Sequence, residues 1–164
     1  TPVKNHKMVI DAFSKVYLAH PEYRLDIYGD GELYKSLLCY IERLGLKSVV
    51  TLCGRTDNII SAISSARIFV LSSNVEGMSN ALIEAMSLGI SCISTDVSGV
   101  REIIDDTENG FIIPVGDESS LVDRLLRLMC SDDLQNKFSI GTNIVLKKFN
   151  KEEVLRYWLA VVTF

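Results

Sequence analysis

The chain has 164 residues, enough for one domain with a sizeable core and too few for two. Apolar residues make up 48% and charged residues 23%, which excludes a disordered chain. The net charge of −4 leaves no basic excess for tracking nucleic-acid phosphates, so no nucleic-acid partner is expected.

Taken in chain order, Thr1-Pro2-Val3-Lys4-Asn5 reads as the middle of a longer sequence. From Lys4 onward Val9, Phe13, Val16 and Tyr17 fall on one helical face, and the pattern stops before Pro21. Leu25 to Tyr28 is a short strand closed by Gly29-Asp30-Gly31. Leu33, Leu37, Ile41 and Leu44 mark a second helix ended by Gly45 in the C-capping place. Val49 to Cys53 is a strand running into Gly54. Asp57 is placed to cap a helix through Ala66, and Ile68 to Leu71 is a fully apolar strand. The polar stretch Ser72 to Ser79 leads to a helix from about Asn80 to Leu88, stopped by Gly89. Ser91 to Thr95 is the next strand, followed by a short helical piece over Val100 to Ile104. An Asn109-Gly110 turn precedes a strand at Phe111 to Ile113. The remainder is helical, broken near Ser131 and Asn150.

No apolar run reaches the roughly 18 residues of a membrane span. Cys39, Cys53, Cys92 and Cys130 are scattered, and the histidines are only His6 and His20, so no paired metal-ligand spacing exists. A metal-free cytoplasmic domain with reduced cysteines acting as small core residues is expected. Short apolar strands alternating with helices predict a single α/β domain over 1–164. Its sheet is parallel, Rossmann-like and doubly wound, with right-handed crossovers placing helices on both faces. Ligands of such sheets lie beyond the carboxyl ends of the strands. This directs attention to Gly29-Asp30-Gly31, Gly54-Arg55-Thr56-Asp57, Ser72 to Ser79, and Asp96-Val97-Ser98-Gly99.

The densest of these runs from Ser72 into the helix, with Glu76 in the loop and Glu84 beyond it, seven residues lying between the two. A helix start offers unpaired N–H groups and a positive dipole end suited to phosphate. Gly77 permits close backbone approach. An ionised carboxylate only accepts hydrogen bonds, so Glu76 and Glu84 suit paired hydroxyls of a sugar or ribose. Phosphate flanked by hydroxyls describes a nucleotide sugar. On spacing alone the plainer alternative stands beside it: Glu76 solvated, and Glu84 an acid favouring the helix dipole.

The stretch EGMSNALIEAMSLGISCISTDVSGVREII closely resembles the glutamate-pair motif of the family 4 glycosyltransferases, which have the GT-B fold and retain anomeric configuration. KNHKMVIDAF, LDIYGDGELYKSL, LCGRTDNIISAISSARIFVLSS and ENGFIIPVGD resemble further segments of that family in the same order, over essentially the whole chain. The resemblance implies that Lys4 neutralises the donor diphosphate, that Glu76 contacts donor-sugar hydroxyls near the reacting carbon, and that Glu84 holds the ribose. It implies that Gly77, Met78, Ser79 and Asn80 offer amides and side-chain groups to sugar and phosphate. It places Arg55 and the Gly29–Gly31 loop near the nucleobase, and gives Asp96, Gly99 and Glu102 a loop-shaping part. No metal or cofactor is implied beyond the nucleoside-diphosphate sugar, with a UDP-linked hexose or hexosamine as the expected donor.

The sequence departs from the family pattern at Ser91 and Glu32, where proline is common, and Ser91 is expected to loosen the start of its strand. The family arginine that partners Lys4, the central first strand and the acceptor-binding N-terminal domain would all precede Thr1. The chain is thus expected to be the donor-binding C-terminal half, inactive alone, of a transferase that builds surface polysaccharide. The intact enzyme is expected at the cytoplasmic face of the membrane. The apolar segment Tyr157 to Val162 is a candidate to contact a second copy or to supply the missing strand. A GT-B nucleotide-sugar epimerase and a non-catalytic Rossmann-like module are the alternatives.

Overall fold

The computed structural model describes residues 2–142. Pro2–Lys4 forms a 3₁₀ turn, and Asn5 then adopts the left-handed conformation at φ 47°. Asparagine tolerates this better than most residues, and it breaks the chain ahead of the first helix, α1 (His6–Val16). Lys4 therefore stands before the helix rather than in it, where the apolar spacing had put the helix start. Strand β1 (Leu25–Tyr28) and helix α2 (Tyr34–Arg43) follow as the periodicity predicts, with Gly45 at φ 71° closing the helix. Strand β2 (Val50–Gly54) comes next.

Helix α3 (Ile59–Ile63) is shorter than the sequence suggests, and its cap is Asn58, whose side chain accepts from the Ser61 amide at 3.0 Å. The chain leaves the helix after Ile63 because the Ala66 amide turns back to the Ile63 carbonyl and delivers it to β3 (Ile68–Leu71). Helix α4 (Asn80–Ser87), strand β4 (Ser91–Thr95), a 3₁₀ turn at Val100–Glu102 and strand β5 (Phe111–Ile113) complete the α/β alternation. Helices α5 (Glu118–Met129) and α6 (Asp132–Gly141) are capped by Asp117 and Ser131, which explains the break expected near Ser131. The break near Asn150 and the apolar closing segment lie outside the described residues.

All strand pairings are parallel. Residues Leu25 to Tyr28 pair with Val50 to Gly54, Ile68 to Leu71 with Ser91 to Ser94, and Ile93 to Thr95 with Phe111 to Ile113. The strands do not form the single sheet that their alternation predicts. Among the described residues there are two sheets, β1-β2 and β3-β4-β5.

β4 is buried throughout and separates two cores. Ile93 joins α1 and α5 through Ile10, Phe13, Leu121 and Leu125 on one face. Its neighbour Cys92 joins Leu82, Met86 and Ile104 on the other. Successive side chains of a strand point to opposite faces, so adjacent residues serve different cores. Only Cys92 behaves as the core thiol expected of all four cysteines; Cys39, Cys53 and Cys130 are exposed. Their strands and helices place them on polar faces, where a small side chain gains nothing by burial.

Between β1 and β3 runs a slot of about 700 Å³. It explains why Ile68, Phe69 and Val70 are only half-buried although the strand is wholly apolar. Ser91, expected to loosen β4, is instead 2% exposed, with its hydroxyl donating to the Gln135 carbonyl of α6 at 3.4 Å. The hydroxyl supplies a tether where a proline ring could not.

Candidate functional site

The carboxyl ends of β1, β3 and β4 converge at one end of the molecule. Beyond β3 the chain passes through Ser72-Ser73-Asn74-Val75-Glu76-Gly77-Met78 to Ser79, whose hydroxyl accepts from the Leu82 amide and so starts α4. This cap satisfies one of the first amides of the helix and starts α4 beside the slot, which Ala81 lines. The loop is anchored from below. The Thr95 hydroxyl at the end of β4 donates to the Ser73 carbonyl at 2.6 Å, and Ser73 is fully buried. Gly99, at φ +79°, lies against the same loop: a Cβ there would stand 3.4 Å from the Met78 Cα. Beside it, Arg101 grips Asp96 through two hydrogen bonds of 3.0 and 2.7 Å. That contact holds the Asp96 carboxyl below the usual carboxylate range.

The start of the chain reaches the same place. The Asn74 amide donates to the Val3 carbonyl at 2.7 Å, and the Ser72 hydroxyl to the Lys4 carbonyl at 2.7 Å. These bonds hold Pro2–Lys4 across the end of β3 and bring the Lys4 ammonium onto the Glu76 carboxylate. Glu76 also accepts from the Ser73 hydroxyl at 3.0 Å, and its side chain is only 18% exposed while Lys4 remains half-exposed. A carboxylate so enclosed is fixed in direction, whereas the lysine side chain keeps access to solvent.

Of the residues singled out in the sequence, Lys4, Glu76 and Gly77 to Asn80 are thus brought together. Glu84 lies on the second turn of α4 and is half-buried, with no side-chain partner among the described residues. No protein atom lies within 4 Å of a Cβ built on Gly77, and its φ is not left-handed.

Gly29 and Gly31 stand across the slot, where they line a small hollow with His6, Leu33 and Tyr34. The Gly29 amide donates to the Gly54 carbonyl at 2.7 Å, so the loops after β1 and β2 adjoin. Arg55 follows Gly54 but points into solvent, 3.8 Å from Asp57, and does not join the Lys4–Glu76 group.

His6, Ser73 and Thr95 escaped the sequence reading. His6 is half-buried beside the hollow, and burial, with the Lys4 charge nearby, pushes its pKa down. The available signal for Ser73 and Thr95 was a hydroxyl residue at the carboxyl end of an apolar strand, which is where both stand.

Residues 1–143 match the profile of the family described as glycosyl transferases group 1. A Campylobacter jejuni relative, N-acetylgalactosamine-N,N'-diacetylbacillosaminyl-diphospho-undecaprenol 4-alpha-N-acetylgalactosaminyltransferase, is 30% identical over 93% of this chain and 41% of its own length. A TarM variant of S. aureus, solved with Fondaparinux, alpha-GlcNAc-glycerol and UDP, superposes with a TM-score of 0.90. The two are 25% identical, over 98% of this chain and 33% of that one. The C-terminal domain of a glycosyl transferase group 1 family protein (LpcC) of Francisella tularensis shares the fold. Its TM-score is 0.79 at 22% identity, over 92% of this chain and 82% of that one. The chain spans about two-fifths of the length of the first curated relatives it matches.

Proposed function

Because the chain belongs to the glycosyl transferases group 1 family, we propose that it is the donor-binding domain of a transferase that moves a sugar from UDP to an acceptor hydroxyl with retention. The observation that carries this reading is the Lys4–Glu76 pair at the start of α4, beside a glycine that nothing inside the protein requires. In it, the diphosphate lies against the first amides of α4 and takes Lys4 as counter-ion, drawing the lysine from Glu76. Glu76, released, accepts from donor-sugar hydroxyls while Ser73 keeps its direction. Glu84 accepts from the ribose hydroxyls one helical turn below, and the base lies toward Gly29, Gly31 and Arg55.

Charge develops on the diphosphate as its bond to the sugar breaks. The groups that stabilise it there, Lys4 and the helix amides, act on the transition state more than on the bound donor. The acceptor hydroxyl attacks from the face the diphosphate leaves and passes its proton to a diphosphate oxygen, so no enzymic nucleophile takes part. The acceptor lies on a second, N-terminal domain of the same polypeptide. A polymer or lipid-linked glycan in cell-surface polysaccharide assembly, reached from the cytoplasm, is the class the relatives suggest.

The test is calorimetry and sugar transfer with the full-length protein. UDP is expected to bind more tightly than GDP or ADP. Glu84→Gln should weaken UDP binding by about 10- to 100-fold, the worth of a hydrogen bond to a charged group. Lys4→Ala and Glu76→Gln should each lower the transfer rate by roughly 100-fold or more. Full transfer by Glu76→Gln, or a full-length protein that binds no nucleotide, would overturn the reading. An epimerised donor sugar formed without acceptor would reassign it.

A further inference from the structure

At the amino ends of the strands, away from Lys4 and Glu76, three side chains meet in line. Cys130 closes α5, and its Sγ lies 3.4 Å from Nε2 of His20, which stands 110 positions earlier, just after α1. On the other side of the ring, Nδ1 lies 3.2 Å from Glu22 Oε1. The imidazole is held in place: the His20 amide donates to the Val16 and Tyr17 carbonyls at 3.1 and 3.2 Å, and the ring stands edge-on to Tyr23. Only 16% of the His20 side chain is exposed, whereas Cys130 is open to solvent.

The chemistry of the three groups assigns each a part. An ionised carboxylate only accepts hydrogen bonds, so Glu22 selects the tautomer that carries its proton on Nδ1. The Nε2 lone pair then faces the thiol, in position to take its proton. A backbone hydrogen bond, aided by His20, holds the Glu22 carboxyl below its ordinary range, so it stays an acceptor. A nucleophile, a base and a third group that orients the base make an activated thiol. A metal centre is a poorer reading, because among the described residues no three Cys, His, Asp or Glu side chains are placed to share an ion. Cys39 and Cys53 are exposed too, but the other histidine of the chain, His6, lines the hollow beside Gly29. Among the described residues, an oriented imidazole faces Cys130 alone of the exposed thiols.

We propose that Cys130 is a site of thiol–disulfide exchange with low-molecular-weight disulfides, with His20 as its base and Glu22 as the residue that positions the base. Nε2 takes the thiol proton, and Sγ attacks one sulfur of the small disulfide. A protein–S–S bond forms as the S–S bond of the small molecule breaks, and the released thiolate takes the proton from His20. The protein sulfur is oxidised, one half of the small disulfide is reduced, and excess thiol reverses the step. Neither His20 nor Cys130 lines the slot beside them, so the sulfur is reached from solvent. Exchange asks for no more than a thiolate with access. The site lies at the far end of the strands from the donor site and does not rest on the function proposed above.

The experiment incubates the full-length protein with glutathione disulfide at pH 7.0, without nucleotide or sugar, and follows each cysteine peptide by mass spectrometry. An ordinary thiol is only about 3% thiolate at that pH, so help from a base can raise the rate by at most about 30-fold. Cys130 is expected to form the mixed disulfide about tenfold faster than Cys39, and dithiothreitol should reverse it. His20→Gln should bring Cys130 down to the rate of Cys39. Glu22→Gln, at a carboxylate 59% exposed and outside the core, should slow Cys130 severalfold and leave Cys39 unchanged. Modification of buried Cys92 would report an unfolded His20→Gln, and Glu22→Gln then carries the test alone. Cys130 reacting no faster than Cys39 would overturn the proposal. So would an undiminished Cys130 rate in the folded His20 variant or in Glu22→Gln.

Discussion

Glu76 is held by a buried serine that is itself held by a buried threonine, so the direction of one carboxylate depends on two hydroxyls beneath it. Little of this could be read from the sequence. Serine and threonine are ordinarily exposed, and Lys4 and Glu76 are 72 positions apart; the loop chemistry singled out Glu76, and only the family resemblance drew attention to Lys4. His6 carries a pH dependence. Burial lowers its folded-state pKa, so the unfolded chain binds the proton more readily as pH falls below the ordinary value of about 6.5. Stability conferred by neutral His6 is present above that pH and lost as pH falls toward the lowered folded value. Urea titrations of the full-length protein at pH 7.5 and 5.5 should show a smaller loss on acidification in His6→Gln than in the parent. Gly99 is constrained twice, by its left-handed backbone and by the Met78 backbone. Gly99→Ala should cost at least about 1–2 kcal/mol in the same titration.

At the scale of elements, the caps were partly legible. Ser79 and Ser131 precede apolar periodic segments and do cap α4 and α6. Asp57 precedes one too, but Asn58 takes the role, because two adjacent residues of capping type cannot be ranked from sequence. The two serine caps make a controlled pair. Ser79→Ala and Ser131→Ala should each lower stability by about 1 kcal/mol. On the proposed reading only Ser79→Ala should also weaken UDP binding, since of the two helices only α4 starts beside Lys4 and Glu76. Equal UDP affinity in both variants, read by calorimetry, would separate the helix start from the site.

On the scale of the whole molecule, each of the five strands was recognisable from a local apolar run bounded by turn residues. That they form two sheets was not, because pairing joins residues far apart in sequence and the alternation rule presumes every neighbour present. Strands β3, β4 and β5 each send side chains to both cores, and β4 is buried throughout, so Ile93, fully buried, should be among the costliest truncations. Ile93→Ala is expected to lose about 2–5 kcal/mol, measured as a shift in urea midpoint without a change in slope. Cys92, whose thiol is pushed up by burial, should remain unmodified by alkylating reagents in the folded protein while exposed Cys39 reacts.

The ion pair between Lys4 and Glu76 also bears on competition inside a cell rich in phosphate. While the two charges pair with each other, Lys4 offers little net pull on small free anions. On the proposed reading, an orthophosphate that draws Lys4 away removes the counter-charge from a largely enclosed Glu76 and leaves it the Ser73 hydroxyl. A donor that presents an anion to the lysine and hydroxyls to the carboxylate exchanges both partners at once. On the proposed reading, the Lys4–Glu76 pair would therefore favour such a donor over the far more abundant inorganic ion.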